Sequence, residues 1–147
     1  MTRDDLVATG EELARRYVDT FNDRDVDGWV ARFAEDAVIH DPFHPEPIKG
    51  REASKNLLNS VLRAFPDMQW RQLHPAINVG DRVAVELAVN AVNDGPLEMP
   101  EGEVPATGRA ISYETGVFWL IGPDGLITEE GSYFDATGVA AQLGITS

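Results

Sequence analysis

The spacing of the apolar residues changes once along this chain, and that change restricts the fold more than any other feature. Up to Phe65 the apolar side chains recur every three or four residues, which is typical of amphipathic helices. From Met68 onward they alternate with polar residues, which is typical of strands with one buried face. The pattern therefore predicts an α+β domain in which helices come first and a mainly antiparallel sheet follows.

The helical part of the pattern predicts three helices and one early strand. The first helix spans residues 3–24, and a shorter second helix continues to Phe33. Their apolar positions are Leu6, Leu13, Tyr17, Phe21, Val26, Trp29, Val30 and Phe33. The run AVIH at residues 37–40 predicts a strand. The third helix lies in KGREASKNLLNSVLRAFPD and stops at Pro66, because proline does not continue a helix.

The alternating part predicts two antiparallel hairpins. MQWRQLHPAINVGDRVAVELAVNAV forms two strands around the turn NVGD, and RAISYETGVFWLIGPDGLITEEGSYFD forms two around GPDG. Between them, NDGPLEMPEGEVPATG is expected to be a polar surface loop that does not pack, and ATGVAAQLG a short helix or turn. Helices packed on one face of a strongly curved sheet form a cone-shaped barrel, open at one end, with room for a pocket.

Length and charge restrict the partners. The 147 residues suit a single domain, 1–147, and 25 acidic against 12 basic side chains give a formal charge of −13. That charge repels nucleic acid and anionic membranes. The N-terminal residues have no apolar signal-like run, so we expect a cytoplasmic protein. The absence of cysteine excludes disulfides, thiolate nucleophiles and zinc-thiolate sites.

The stretch AVIHDPFHPEP contains the main candidate for chemistry, Asp41. It follows an apolar strand and precedes Pro42. A carboxylate that enters a core is costly unless it is paired or performs chemistry. Two interpretations stay open at this point: Asp41 is a general base in a pocket, or it caps the turn that Pro42 makes.

Residues RRYVDTFNDRDVDGWVARFAEDAVIHDPFHPEPIKG resemble the opening third of the ketosteroid isomerases. These enzymes belong to the nuclear-transport-factor-like superfamily, together with the SnoaL-type polyketide cyclases and the limonene epoxide hydrolases. The resemblance implies that Asp41 is the general base and that Tyr17 donates a hydrogen bond to an oxyanion. VPATGRAI and GPDGLITEEGSYFDATGVAAQLG are instead similar to the closing part of the SnoaL group.

The resemblance leaves the second catalytic group unidentified. The acid that the cyclases use on the last strand falls at Ser132, with Asp135 at a downstream acidic position. The cyclase histidine and the second isomerase donor both fall near Gly116 or Val117, where Glu114 is the nearest carboxyl. The epoxide hydrolases need an Arg and an Asp on the middle strand, where this chain has Leu87 and Val89.

Other side chains are candidates for the pocket. Asn90 shares a strand face with Glu86, and His44 is expected at the pocket rim, where a proton shuttle would lie. His40 and Asp41 point opposite ways on a strand, so HDPFH does not predict a metal site, and no cofactor is expected. Aromatic side chains suit the lining of a hydrophobic pocket or ordinary core packing: Trp29, Phe33, Phe65, Phe118, Trp119 and Phe134.

The candidate residues and the resemblance together imply three possible functions. The first is a cofactor-independent enzyme, either an isomerase or a cyclase, that removes a proton α to a carbonyl group in a hydrophobic polyketide-like or steroid-like substrate. The second is a non-catalytic domain of the same fold that binds a small molecule or a protein, and the third is an epoxide hydrolase. The resemblance also implies a homodimer formed through the sheet face.

Overall fold

A computed structural model describes the backbone of residues 3–145 and the side chains of residues 10–145, so the side chain of Leu6 lies outside the described part. The helices are α1 (Arg3–Asn22), α2 (Val26–Val30), α3 (Arg51–Ala64) and α4 (Ala136–Leu143). The strands are β1 (Phe33–His40), β2 (Ile48–Lys49), β3 (Gln69–Gln72), β4 (Ile77–Val79), β5 (Arg82–Val92), β6 (Leu97–Met99), β7 (Gly102–Val104), β8 (Ala110–Ile121) and β9 (Ile127–Tyr133).

The strands form one large curved sheet and one small hairpin. The large sheet has the order β2-β1-β9-β8-β5-β3, with β4 also paired to β5. All of its pairs are antiparallel except β1 with β9, which run parallel. Helices α1 and α3 pack against this sheet, which confirms the predicted α+β architecture. The parallel pair brings the end of β1 beside β9, where the candidate site lies.

The packing of α1 follows from its apolar stripe. Ala14, Tyr17, Val18 and Phe21 recur at helical spacing and are all buried. Trp119 of β8 is fully buried at the centre of the same core. Aromatic rings make up much of this contact, with the Tyr17 ring centroid 4.9 Å from that of Trp119. The first helix is therefore fixed to the sheet at Tyr17.

Two element boundaries differ from the predictions. Phe33 begins β1 rather than ending α2, because Arg32 accepts a hydrogen bond from the Ile127 amide and Phe33 pairs with Ile127. The predicted strand before NVGD is split into β3 and β4 by Leu73–Ala76, where Pro75 has no amide hydrogen to donate. The turns NVGD and GPDG are confirmed as the connections between β4 and β5 and between β8 and β9.

The predicted polar loop between the hairpins is wrong in part, because the segment packs. It contains the hairpin of β6 and β7, and Leu97 is buried in the core. Asn93 is fully buried and closes the base of this segment. Its amide nitrogen donates to the Ala64 carbonyl at 3.1 Å, and its Oδ1 accepts from the Thr107 amide at 2.8 Å. One polar side chain thus joins the hairpin to the end of α3.

The C-terminal segment is a helix with a cap at each end. Asp135 is the N-cap of α4 and accepts a hydrogen bond from the Gly138 amide at 2.9 Å. Gly144 ends the helix in a left-handed conformation, with φ at 74°, which glycine adopts at little cost. Val139 and Leu143 face the core.

Candidate active site

The helices and the concave face of the sheet enclose one cavity of about 170 Å³. Its walls are largely apolar, with Trp29, Leu58, Phe65, Leu87, Val89, Leu97, Ile111, Val117 and Phe134 among the lining residues. Its polar lining consists of Tyr17, Asp41, His44, Ser60, Glu98, Tyr113, Thr115, Glu130 and Ser132. Among the residues described, no Lys or Arg side chain lines this cavity. His44 is therefore the one basic side chain among the described lining residues that a negative charge inside the cavity could meet.

Asp41 lies at the mouth of the cavity, one residue beyond β1. Strand alternation turns Ile39 and Asp41 inward and His40 outward, where His40 Nε2 lies 3.2 Å from Glu129 Oε1. The Asp41 side chain is 22% exposed. Its Oδ1 accepts a hydrogen bond from the Phe43 amide at 2.8 Å. Asp41 therefore caps the turn and also reaches the cavity, so both interpretations of this residue have a structural basis.

His44 lies at the rim, as expected from the sequence. Its Nδ1 is 3.2 Å from Asp41 Oδ1. This hydrogen bond raises the pKa of His44 above 6.5, burial opposes the rise, and the charges of Asp41 and Glu98 add to it. The protonated imidazole is therefore favoured beside Asp41.

Tyr17 is 3% exposed and lines the inner part of the cavity. Burial raises its pKa well above 10.0, and the charge and hydrogen bonding of Glu130 and the charge of Asp41 raise it further. The phenol therefore stays neutral and can donate a hydrogen bond. Its ring lies against Trp29, with 5.6 Å between ring centroids, and against Trp70, with 5.1 Å. These contacts hold the hydroxyl in one position.

Glu130 is the main residue that the sequence reasoning missed. It lies on β9, is 3% exposed and lines the same cavity. The Trp119 indole Nε1 donates a hydrogen bond to Glu130 Oε1 at 2.8 Å. Burial raises the pKa of Glu130 to about 7, the hydrogen bonds from Trp119 and Tyr17 lower it, and the charge of Asp41 raises it. The protonated carboxyl is therefore far more favoured near neutral pH than it is for an ordinary glutamate.

A register shift in β9 explains why Glu130 was missed. The pairing of β8 with β9 is irregular between Leu120 and Ile121. The next buried residue after Ile127 is therefore Glu130, three positions on, and not Glu129, which regular alternation would bury. Beyond the shift, Glu130, Ser132 and Phe134 all line the cavity, as residues two apart on one strand should. The adjacent pair of glutamates in ITEEG was the only signal in the sequence.

Tyr113 is the second residue that was missed. It lies on β8 with Thr115 and Val117, and all three line the cavity. Burial and the charge of Asp41 raise the pKa of Tyr113 above 10.0. The alternation of Ile111, Tyr113, Thr115, Val117 and Trp119 in the sequence could have identified this inward face.

Several predicted pocket residues lie elsewhere. Glu114 and Asn90 are exposed, because β5 and β8 turn them to the outer face of the sheet, and Asp135 is exposed as the cap of α4. Phe118 is also on the outer face and is 44% exposed. Phe33 and Trp119 are fully buried in the core but do not line the cavity, whereas Trp29, Phe65, Phe134 and Ser132 do. Leu87 and Val89 line it at the positions where the epoxide hydrolases need Arg and Asp.

The described part of the chain also limits other kinds of site. Among the described side chains, those of residues 10–145, no group of three or more His, Asp or Glu is arranged to hold a metal ion. Within residues 3–145, no helix is both long and apolar enough to cross a lipid bilayer.

Comparisons with known proteins agree with the fold. Residues 14–130 match the SnoaL-like domain. A candidate SnoaL-like polyketide cyclase from Jannaschia sp. CCS1 superposes with a TM-score of 0.83 at 18% identity, covering 100% of this chain and 99% of that one. IdmH, a candidate polyketide cyclase from Streptomyces antibioticus, has a TM-score of 0.71 at 26% identity, covering 92% and 98%.

A third solved structure is the epoxide hydrolase/cyclase-like enzyme SalBIII, connected with pyran ring formation in the polyether salinomycin. It has a TM-score of 0.69 at 26% identity, covering 87% of this chain and 92% of that one. No protein with a curated description matches this sequence. The match of residues 14–130 confirms the resemblance seen in the sequence, and the chain belongs to the SnoaL-like domain family.

Proposed function

We propose that this protein is an acid/base enzyme that removes a proton from the carbon α to a carbonyl group in a hydrophobic ring compound. Asp41 is the general base, and Tyr17 donates a hydrogen bond to the carbonyl oxygen as it becomes negative. The observation that carries the proposal is that a carboxylate and a buried neutral phenol border one apolar cavity. An enolisation site needs these two groups.

The hydrogen bonds of Asp41 leave part of the carboxylate available for this role. Both of its described hydrogen-bond contacts, with the Phe43 amide and with His44, are made by Oδ1. Within the described residues, Oδ2 has no hydrogen-bond partner, so it is the oxygen that would accept the proton. The Phe43 contact holds the carboxylate in one orientation, and a fixed base reacts faster than a mobile one.

The cavity favours an uncharged substrate of modest size. Its volume of about 170 Å³ is close to the roughly 150 Å³ of an engineered apolar cavity that binds benzene. One ring therefore fits inside, and a larger polyketide-like or steroid-like compound would extend through the mouth. An anionic substrate would meet Asp41 and Glu98, and among the described lining residues only His44 could offset their charge. Isomerisation and cyclisation both begin with this proton abstraction.

The test is hydrogen–deuterium exchange at the α-carbons of ring ketones such as cyclohexanone, followed by NMR in D₂O. We expect exchange by the wild type and loss of it in Asp41→Asn. The asparagine keeps Oδ1 as an acceptor for the Phe43 amide, so the turn cap is preserved while the base is removed. Asp36→Asn is the matched control, because Asp36 is an exposed aspartate on β1. Equal exchange by wild type and Asp41→Asn would refute the role of Asp41.

The second candidate function is a binding domain without catalysis. It is supported by the hydrogen bond from the Phe43 amide to Asp41, which by itself accounts for an aspartate at this turn. Such a domain would bind ring compounds, show no exchange above buffer, and bind equally well after Asp41→Asn. An epoxide hydrolase is less supported, because Leu87 and Val89 line the cavity where that chemistry needs polar groups.

The outer face of the sheet supports the proposal of a homodimer. Phe118 is 44% exposed, Tyr133 is 67% exposed, and their rings contact edge to face with 5.5 Å between centroids. Aromatic side chains are enriched at protein interfaces. Light scattering over a concentration series tests this proposal, and a monomer at every concentration would refute it.

A further inference from the structure

The cavity contains a second buried carboxyl group, Glu130, that the proposed function does not require. The parallel pairing of β1 with β9 places Ile39 opposite Glu130 and His40 opposite Gly131. Asp41 follows directly on β1, so its carboxylate and that of Glu130 enter the same cavity from neighbouring strands. Asp41 lies at the mouth, where its side chain is 22% exposed, and Glu130 lies deeper, at 3% exposure.

The groups around Glu130 determine how stable its ionised form is. Tyr17 faces it from α1, Trp119 from β8, and Asp41 from the end of β1. Trp119 donates a hydrogen bond to Glu130 and Tyr17 offers a neutral hydroxyl beside it, so neither brings a positive charge. No Lys or Arg is present among the described residues that line the cavity. The ionised form of Glu130 is therefore opposed by burial and by the negative charge of Asp41.

This arrangement separates the two carboxyl groups by environment. Burial and Asp41 raise the pKa of Glu130 to about 7, so at neutral pH an ionised Asp41 favours the protonated form of Glu130. Pairs of carboxyl groups in unlike environments are a common way to hold an acid and a base in one site. The hydrogen bond from Trp119 Nε1 to Oε1 orients the carboxyl without removing its proton.

We infer that Glu130 is the general acid partner of Asp41 and protonates the substrate oxygen at the inner end of the cavity. This inference rests on the proposed function and identifies the second catalytic group of the same site. Asp41 takes the proton from the α-carbon, the C–H electron pair forms the carbon–carbon double bond of the enol, and the carbonyl π pair moves to oxygen. That oxygen takes the proton of Glu130. Asp41 ends neutral and Glu130 ends ionised, so the site as a whole keeps its proton count.

The first experiment compares α-deuterium exchange of cyclohexanone by wild type, Glu130→Gln and Glu129→Gln over a pH series. The glutamine in Glu130→Gln keeps the size of the side chain and an acceptor for Trp119 but cannot transfer a proton. We expect a rate about 10²–10⁴ lower than wild type, the usual range for one acid or base group. The wild-type rate should fall as pH rises through about 7, and that fall should be absent in Glu130→Gln. Glu129 is exposed on the same strand, so Glu129→Gln should match wild type.

Two outcomes of that experiment overturn the inference, and the first of them leaves the proposed function intact. The first is a Glu130→Gln rate equal to wild type while Asp41→Asn is inactive. The second is a wild-type rate that rises through about pH 7, which would make Glu130 the base rather than the acid. Circular dichroism and thermal unfolding of each variant establish that a lost rate is not lost folding.

A second measurement tests whether Glu130 donates to the substrate oxygen, and its result does not depend on whether wild type exchanges deuterium. The infrared carbonyl stretch of bound cyclohexanone shifts to lower frequency when an acid donates to its oxygen. We expect this shift in wild type below pH 7 and a smaller one above it, with no pH dependence in Glu130→Gln. A frequency independent of pH in wild type, or no binding of cyclohexanone, would overturn the inference.

Discussion

Glu130→Gln should stabilise the folded protein at neutral and alkaline pH, although it removes a group that we assign to catalysis. In the folded chain the pKa of Glu130 is about 7, whereas the ordinary value for glutamate is 4.5. The unfolded chain therefore releases this proton at lower pH than the folded chain does. Between these two values the folded state holds more protons than the unfolded state, so its stability falls as pH rises.

The size of this effect follows from the two pKa values. Each pH unit between 4.5 and about 7 costs the folded state about 1.4 kcal/mol, which amounts to about 3 kcal/mol above pH 7. Because Glu130 is 3% exposed, solvent screening does little to reduce the figure. Glutamine does not ionise. The unfolding free energy of Glu130→Gln minus that of wild type should therefore be constant below about pH 4.5 and should rise by about 3 kcal/mol as the pH increases beyond 7. A small domain has only about 5–15 kcal/mol in total.

Urea denaturation at a series of pH values, followed by tryptophan fluorescence, measures this difference. Trp29, Trp70 and Trp119 all lie in or against the core, so their emission reports global unfolding. The control is Glu129→Gln, which removes the same charge from an exposed position of the same strand. Subtracting the control removes the general pH dependence of a chain with a formal charge of −13. The m-values should not change, because the surface exposed on unfolding is the same.

A stability difference that stays constant with pH would refute this reasoning, because Glu130 would then ionise alike in both states. A difference that shrinks as pH rises would show that the folded protein stabilises the Glu130 carboxylate. In that case the acid role inferred for Glu130 would fail as well. The expected result is the common pattern in which a catalytic group lowers stability.

Three further predictions test the surroundings of the site. Tyr17→Phe should lower the rate of α-exchange by about 10²–10³, which exchange rates measure. It should also raise the pKa of Glu130 above about 7, because a hydrogen bond to the carboxylate is lost, and the dependence of stability on pH measures this rise. In Asp41→Asn the pKa of His44, read by NMR titration of its imidazole, should return toward 6.5. Asn93→Ala should cost about 2 to 4 kcal/mol in urea unfolding, because it leaves buried backbone groups of two segments without partners; a cost near zero would show that water replaces them.

Much of the fold could be predicted because its signals are local. The helical spacing of α1 and α3 and the turns NVGD and GPDG lie within short stretches of sequence, and the structure confirms each of them. The prediction was wrong where distant residues decide the outcome. Phe33 joins a strand in which it pairs with the distant Ile127, and the polar segment after Asn93 packs through contacts with α3 that include the Asn93 side chain.

About half of the candidate site could be predicted from the sequence. Asp41 and Tyr17 belong to one continuous motif, and the structure places both at the cavity. The second catalytic group was expected at Glu114, Ser132 or Asp135, and of these only Ser132 lines the cavity. Glu114 does share a strand face with Gly116, as expected, but that face is the outer one. Alternation determines which residues share a face, and only packing against the helices determines which face is inside.

By itself, then, the sequence determined the helices, the hairpins, the strand that precedes Asp41 and the turn that Asp41 caps. Each of these depends on residues that are close together in the chain. The tertiary structure alone decided that Glu130 rather than Glu129 is buried, because that choice depends on the register of β9 against β8. It also decided that Asp41 and Glu130 enter one cavity, because β1 and β9 pair in parallel across the length of the chain. Such pairing depends on burying one whole face of the sheet, and no short stretch of sequence specifies that burial.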